Sequence, residues 1–118
     1  MNKLYSFPIL LITLALSECG EVDYINNARI FATGKTNAAS VSVQLIDSDI
    51  LISETTTNAD GTFSLGGPTT DGQPSIWFNK KISNFVAKTS GCTINRDSTA
   101  IILPERIRYI EFIQIDFE

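Results

Sequence analysis

Val41-Ser42-Val43-Gln44-Leu45-Ile46-Asp47 decides the fold class. Val41, Val43 and Leu45 share one phase, with Ser42, Gln44 and Ile46 in the other, the period of two that a half-buried strand requires. Just downstream, Ile50 to Thr57 places Ile50 and Ile52 in one phase ahead of a Thr-rich, β-branched tail. Asp47-Ser48-Asp49 between them is a short turn. Asn58-Ala59-Asp60-Gly61 follows, and Asp-Gly signals a hairpin because Gly accepts positive φ without strain. Phe63 and Leu65 then alternate with Thr62 and Ser64 in a short strand closed by Gly66-Gly67-Pro68, and residues 68–74 form a loop.

The pattern continues toward the C-terminus. Ser75 to Asn79 carries Ile76 and Phe78 in one phase and Trp77 in the other. Residues 80–95 admit two readings. Ile82, Phe85 and Val86 have the spacing of a single helical turn, while Phe85 to Lys88 equally suits a strand. Ala100 to Leu103 is a short apolar strand ended by Pro104. Arg106 to Phe117 is the last strand, and its phase slips: Ile110 and Phe112 lie in one register, Ile113, Ile115 and Phe117 in the other. A bulge near Phe112 reconciles them. About seven short strands with frequent turns predict an all-β, antiparallel β-sandwich or barrel. Its expected core is Val41, Val43, Leu45, Phe63, Leu65, Ile76 and Phe78.

Ahead of these strands the chain reads as a targeting signal. Lys3 precedes an apolar run from Leu4 to Leu16 that is interrupted by Tyr5, Ser6, Pro8 and Thr13. Ala15 and Ser17 stand at the −3 and −1 positions of a signal-peptidase site, which makes residues 1–17 a signal peptide. An alternative cut after Cys19 uses Ser17 and Cys19. Residues 18–27 are then an N-terminal tail and 28–118 the folded domain. The apolar run is shorter than the ~20 residues that span a bilayer, and no later stretch is long enough, so no transmembrane segment is expected in the mature chain. The expected localisation is secreted and extracellular.

Composition narrows the function. A net charge of −4 argues against nucleic acid, because neutralising phosphates needs an excess of Lys and Arg. The chain has no histidine, which removes Ser–His–Asp and Cys–His nucleophiles, imidazole general bases and His-containing zinc sites. The expectation is a non-enzymatic protein with no cofactor.

A family resemblance rests on two stretches. One is Gly34-Lys35-Thr36-Asn37-Ala38-Ala39-Ser40-Val41-Ser42-Val43-Gln44-Leu45 with Asp47 and Asp49. The other is Leu51-Ile52-Ser53-Glu54-Thr55-Thr56-Thr57-Asn58-Ala59-Asp60-Gly61-Thr62-Phe63-Ser64-Leu65-Gly66-Gly67. Together they resemble the transthyretin-like family of nematodes in the V-x-V-x-L strand, the acidic turn and the E-T-x-T-x-x-D-G-x-F-x-L-x-G hairpin. Pro74-Ser75-Ile76-Trp77-Phe78 resembles the family's following strand, and Ile102-Leu103-Pro104 its I-x-I-P segment. The resemblance implies a transthyretin-like (prealbumin-like, immunoglobulin-like) sandwich, secretion and a binding role. The expected partner is an extracellular protein, a lipid or a small apolar ligand of unknown identity. The alternative is an extracellular carrier holding a small apolar ligand, with a dimer interface as one place for it. The related hydroxyisourate hydrolases rely on histidines and a C-terminal Tyr-Arg-Gly-Ser; this chain ends Ile115-Asp116-Phe117-Glu118, so that activity does not carry over.

The candidate binding residues are Trp77, Lys80, Lys81, Arg106 and Arg108. Trp77 either anchors a ligand on an outer face or packs beneath residues 80–95. The four cations either make a basic patch for an acidic headgroup or glycan, or protect strand edges against unwanted pairing. Asp47, Asp49 and Asp60 either offer oxygen ligands to calcium or cap turns. No catalytic residue is assigned. An oxidising compartment favours a Cys19–Cys92 bridge if cleavage follows Ser17; if cleavage follows Cys19, Cys92 is left alone, either buried as a small apolar residue or available for an intermolecular bond.

Overall fold

Alternation at Val41–Asp47 translates directly into burial. Val41, Val43 and Leu45 are shut away from solvent while Ser42, Gln44 and Ile46 are half-buried on the opposite face. The computed structural model describes residues 29–69 and 72–118. The expected signal peptide and N-terminal tail, with Cys19, lie outside the described residues.

Nine strands occur among the described residues: β1 (Arg29–Thr36), β2 (Ser42–Asp47), β3 (Ile50–Thr56), β4 (Thr62–Pro68), β5 (Pro74–Phe78), β6 (Ile82–Ala87), β7 (Thr93–Ile94), β8 (Ala100–Ile102) and β9 (Tyr109–Phe117). They form a four-stranded sheet, β4-β1-β9-β6, and a five-stranded sheet, β3-β2-β5-β8-β7. The apolar inner faces meet in one core, with Ile30, Phe63, Ile110, Phe112 and Ile115 from one sheet and Val43, Leu45, Ile76 and Ile101 from the other. The protein is an all-β sandwich. All seven expected core residues are buried in it.

Several features depart from the sequence reading. The sandwich is not wholly antiparallel, because β1 and β9 run parallel with Phe31 opposite Tyr109 and Ala32 opposite Ile110. A tight hairpin forces antiparallel neighbours, but β9 is reached from β8 in the other sheet. That sheet-to-sheet crossing leaves its direction free. Seven strands become nine because β7 has two residues, and because β1 carries only Ile30 and Ala32 as apolar inward positions before Gly34 and Thr36. The last strand begins at Tyr109, since Arg106 adopts a positive φ of 63° in the preceding turn. Gly66-Gly67-Pro68 continues β4, with Pro68 opposite Arg29. Proline is tolerated there because β4 is an edge strand.

The Asp-Gly segment makes the turn its chemistry predicts but follows another route. Gly61 sits at φ 84°, and its N–H donates to the Asn58 carbonyl at 2.9 Å. Yet β3 and β4 are not a hairpin; they belong to different sheets. The crossing is pinned by buried threonines. The Thr36 N–H donates to the Gly61 carbonyl at 2.8 Å, and the Thr57 hydroxyl accepts from the Val41 N–H at 2.9 Å. The tight hairpin is the one before it, where Ser48 and Asp49 at φ 53° and 66° join β2 to β3 as a two-residue primed turn.

Residues 82–87 are a strand, not a helical turn. Against β9, Ile82 faces Phe117 and Asn84 faces Asp116, so one residue is extra. This bulge turns both Ile82 and Phe85 inward, which mimics helical spacing in the sequence. The bulge expected near Phe112 is present. Gly34 faces Phe112 and Thr36 faces Ile115; Ile113 turns outward and is 50% exposed, while Phe112 and Ile115 are buried.

Candidate functional site

Because Ile30 and Ala32 of β1 and Ile110 and Phe112 of β9 point into the core, Phe31 and Tyr109 must point out. They are opposite one another in the parallel register, and their rings stack with centroids 5.9 Å apart and planes 17° from parallel. Phe31 is 45% exposed and Tyr109 53%. On the other side of Phe31 the cross-strand partner is Gly66, and the ring leans over it, since a Cβ there would stand 3.0 Å from Phe31 Cδ1. A 480 Å³ cleft opens at this point, lined by Arg29, Ile30, Phe31, Gly66 and Arg108.

A second depression, 520 Å³, lies further along the same sheet, with Thr33, Lys35, Thr62, Lys88, Glu111 and Ile113 among its walls. Here the charges are paired. Lys88 Nζ lies 3.2 Å from Glu111 Oε1, and the Tyr109 hydroxyl donates to the same carboxylate oxygen at 3.4 Å. The Arg29 and Arg108 side chains make no ion pair or hydrogen bond among the described residues. The outer face of the four-stranded sheet thus offers an aromatic pair, unneutralised guanidinium groups at one end and a balanced cluster at the other.

The residues singled out in the sequence are dispersed by the fold. Arg108 borders the cleft. Lys80 and Lys81 lie in the turn between β5 and β6, where the Lys81 carbonyl accepts from the Glu118 N–H at 2.9 Å. They therefore sit beside the far end of β9, a strand that spans about 26 Å at an ordinary rise per residue. Arg106 is exposed in the turn before β9. The four cations do not converge on one patch. Trp77 lies on the outer face of the five-stranded sheet, half-buried, with its indole N–H donating to Ser75 Oγ at 2.8 Å. β6 belongs to the opposite sheet and does not cover it. Trp77 borders a 220 Å³ depression with Ser42, Gln44 and Asn79.

The three aspartates are likewise apart. Asp47 is buried at the end of β2, where its carboxylate accepts from the hydroxyls of Thr69 at 2.8 Å and Ser48 at 3.2 Å. Asp49 is in the adjoining hairpin turn, and Asp60 is at the opposite end of β3. Asp60 caps its own turn. Its carboxylate accepts from the Thr62 hydroxyl at 2.7 Å and the Thr62 N–H at 3.1 Å, and these bonds hold its pKa below the ordinary carboxylate value. Cys92 is free among the described residues and half-buried, and that burial pushes its thiol pKa up.

No protein-family model matches this chain, and no curated protein matches it either.

The aromatic pair went unread in the sequence, although a signal for it exists. Phe31 and Tyr109 are large aromatics standing on the polar phase of their strands, each close to an arginine in Arg29-Ile30-Phe31 and Arg108-Tyr109. Finding it required knowing that residues 78 positions apart become neighbours.

Proposed function

We propose that this chain is a secreted, transthyretin-like β-sandwich that binds an extracellular ligand non-enzymatically through the outer face of its four-stranded sheet. The observation that carries the reading is the Phe31–Tyr109 stack, two aromatic rings about half exposed side by side on a sheet face. Aromatic side chains supply large, rigid contact area at recognition sites. A lone exposed aromatic is ordinary on a protein surface, but a stacked pair beside a cleft with free guanidinium groups is a prepared contact surface. The signal-like residues 1–17 and the motifs of residues 34–67 support secretion and the family reading.

The test uses the full chain expressed through a secretory pathway and purified from the medium. Tyr109→Ser and Phe31→Ser remove exposed rings and leave the core intact. Each should melt within a few degrees of the parent and lose binding to extracellular fluid components or cell surfaces. Retained binding in both variants moves the site to another face.

A further inference from the structure

Along β1 the outward residues are Arg29, Phe31, Thr33 and Lys35, a line of about 20 Å at a strand's rise per residue. The 480 Å³ cleft lies over one end of this line and the 520 Å³ depression over the other. The first end is cationic, with Arg29 and Arg108; at the second, Lys88 is paired with Glu111 and Lys35 lies within electrostatic reach of the Asp60 carboxylate, in a chain whose net charge is −4. The one carboxylate lining either depression, Glu111, is engaged by Lys88 and by the Tyr109 hydroxyl. Between the two ends stand the rings of Phe31 and Tyr109 and the hydroxyl of Thr33.

We propose that this track binds an acidic glycan, a chain of sugar rings bearing carboxylate or sulfate groups. The inference rests on the face assigned under the proposed function and names the ligand's chemistry. Sugar rings present C–H faces that pack on aromatic rings, and their hydroxyls exchange hydrogen bonds with threonine and tyrosine hydroxyls. Carboxylate and sulfate groups pair with guanidinium groups, often in bidentate geometry. A long, shallow track, with free guanidinium groups at one end and Lys35 about 20 Å away, suits a chain of several residues better than a compact molecule, which needs an enclosing pocket. A second copy of this chain is the poorer occupant, because a two-fold contact centred on the cleft sets guanidinium against guanidinium. An anionic bilayer is also poorer, since membrane recognition by charge draws on dense clusters of four to eight cations, whereas on this face Lys88 is paired with Glu111 and Arg29, Arg108 and Lys35 are spread along the strand.

The experiment is calorimetric titration of the purified secreted chain with a sulfated, uronate-containing hexasaccharide, its desulfated and carboxyl-reduced counterpart, and phosphatidylserine vesicles. The sulfated hexasaccharide should bind and weaken as salt rises, and the neutral counterpart and the vesicles should not. Arg29→Gln with Arg108→Gln should weaken binding at least about tenfold, and Tyr109→Ala by a similar factor. Lys80→Gln with Lys81→Gln, at the other end of the sandwich, should leave it unchanged. Melting curves confirm that every variant is folded. The proposal is overturned if the hexasaccharide fails to bind, if the lysine pair matters as much as the arginine pair, or if vesicles bind as tightly. If the hexasaccharide fails while Tyr109→Ser still abolishes extracellular binding, the face stands and the ligand class falls.

Discussion

Phe63 projects from β4 across Gly34, its register partner on β1, and meets Phe78 of the other sheet edge-on at 6.0 Å. Truncating it to alanine empties the junction between the sheets and should cost about 3–5 kcal/mol. At about 4–8 °C per kcal/mol for a domain this small, a thermal melt should fall by more than ten degrees. Gly34 is the complementary constraint: a Cβ there would stand 2.6 Å from Phe63 Cε1 and 3.1 Å from Phe112 Cβ. Gly34→Ala must push the ring aside and should cost about 1–3 kcal/mol, read as a lowered midpoint in denaturant with the slope unchanged. Asp60 supplies a titration at the same scale. Its folded pKa lies below the unfolded one, so its stabilisation is full above the ordinary carboxylate value and is lost as pH falls through the lowered folded value. Asp60→Asn should therefore flatten the acid limb of the stability curve slightly, and a variant with the parent's acid limb would show that the Thr62 bonds do not outlast solvent competition.

Bulges govern the elements. In β9, Ile113 faces solvent although its neighbours in the apolar run are buried. Ile113→Thr should change stability by less than about 0.5 kcal/mol, whereas Ile115→Ala should cost about 2–5 kcal/mol; equal costs would refute the bulge. The phase slip that locates this bulge is visible in the sequence because both registers are populated by large apolar residues. The bulge in β6 is hidden by the same physics acting on an edge strand. With Ser83, Asn84 and Val86 exposed, only Ile82 and Phe85 mark the inner face, and a spacing of three is also a helix's spacing. Position within the sheets sets local stability as well. β9 is flanked by β1 and β6, whereas β3 and the two-residue β7 are edges. Amide exchange should be slowest in β9 and fastest in β7 and along the free side of β3.

For the whole molecule, the expected processing is testable on secreted material. N-terminal sequencing should find a mature chain beginning at Glu18 or Gly20, and retention of Met1 would refute the export reading. Intact mass with and without reduction then reports whether Cys92 is bridged; a bridge within one chain requires that Cys19 is retained.

The sequence by itself determined the class of structure and the inner phase of β2, β4 and β5. It did so because strand amphipathicity is local: Val41, Val43 and Leu45 declare their common face without reference to any partner. Turn chemistry was equally local at Asp47-Ser48-Asp49 and at Asp60-Gly61, where positive φ is required of the backbone itself. Only the tertiary structure decided which strands share a sheet. Gly61 permits the chain to reverse, but whether it reverses into a hairpin or crosses to the other sheet depends on Thr36 of β1 holding Gly61 and on Val41 holding Thr57, contacts made from remote parts of the chain. The parallel pairing of β1 with β9 is decided in the same way, by where the chain re-enters the four-stranded sheet after β8. The candidate site inherits that dependence. Arg29 and Phe31 lie at one end of the domain's sequence and Arg108 and Tyr109 near the other; no local period links them, and the β1–β9 register alone sets the two rings face to face.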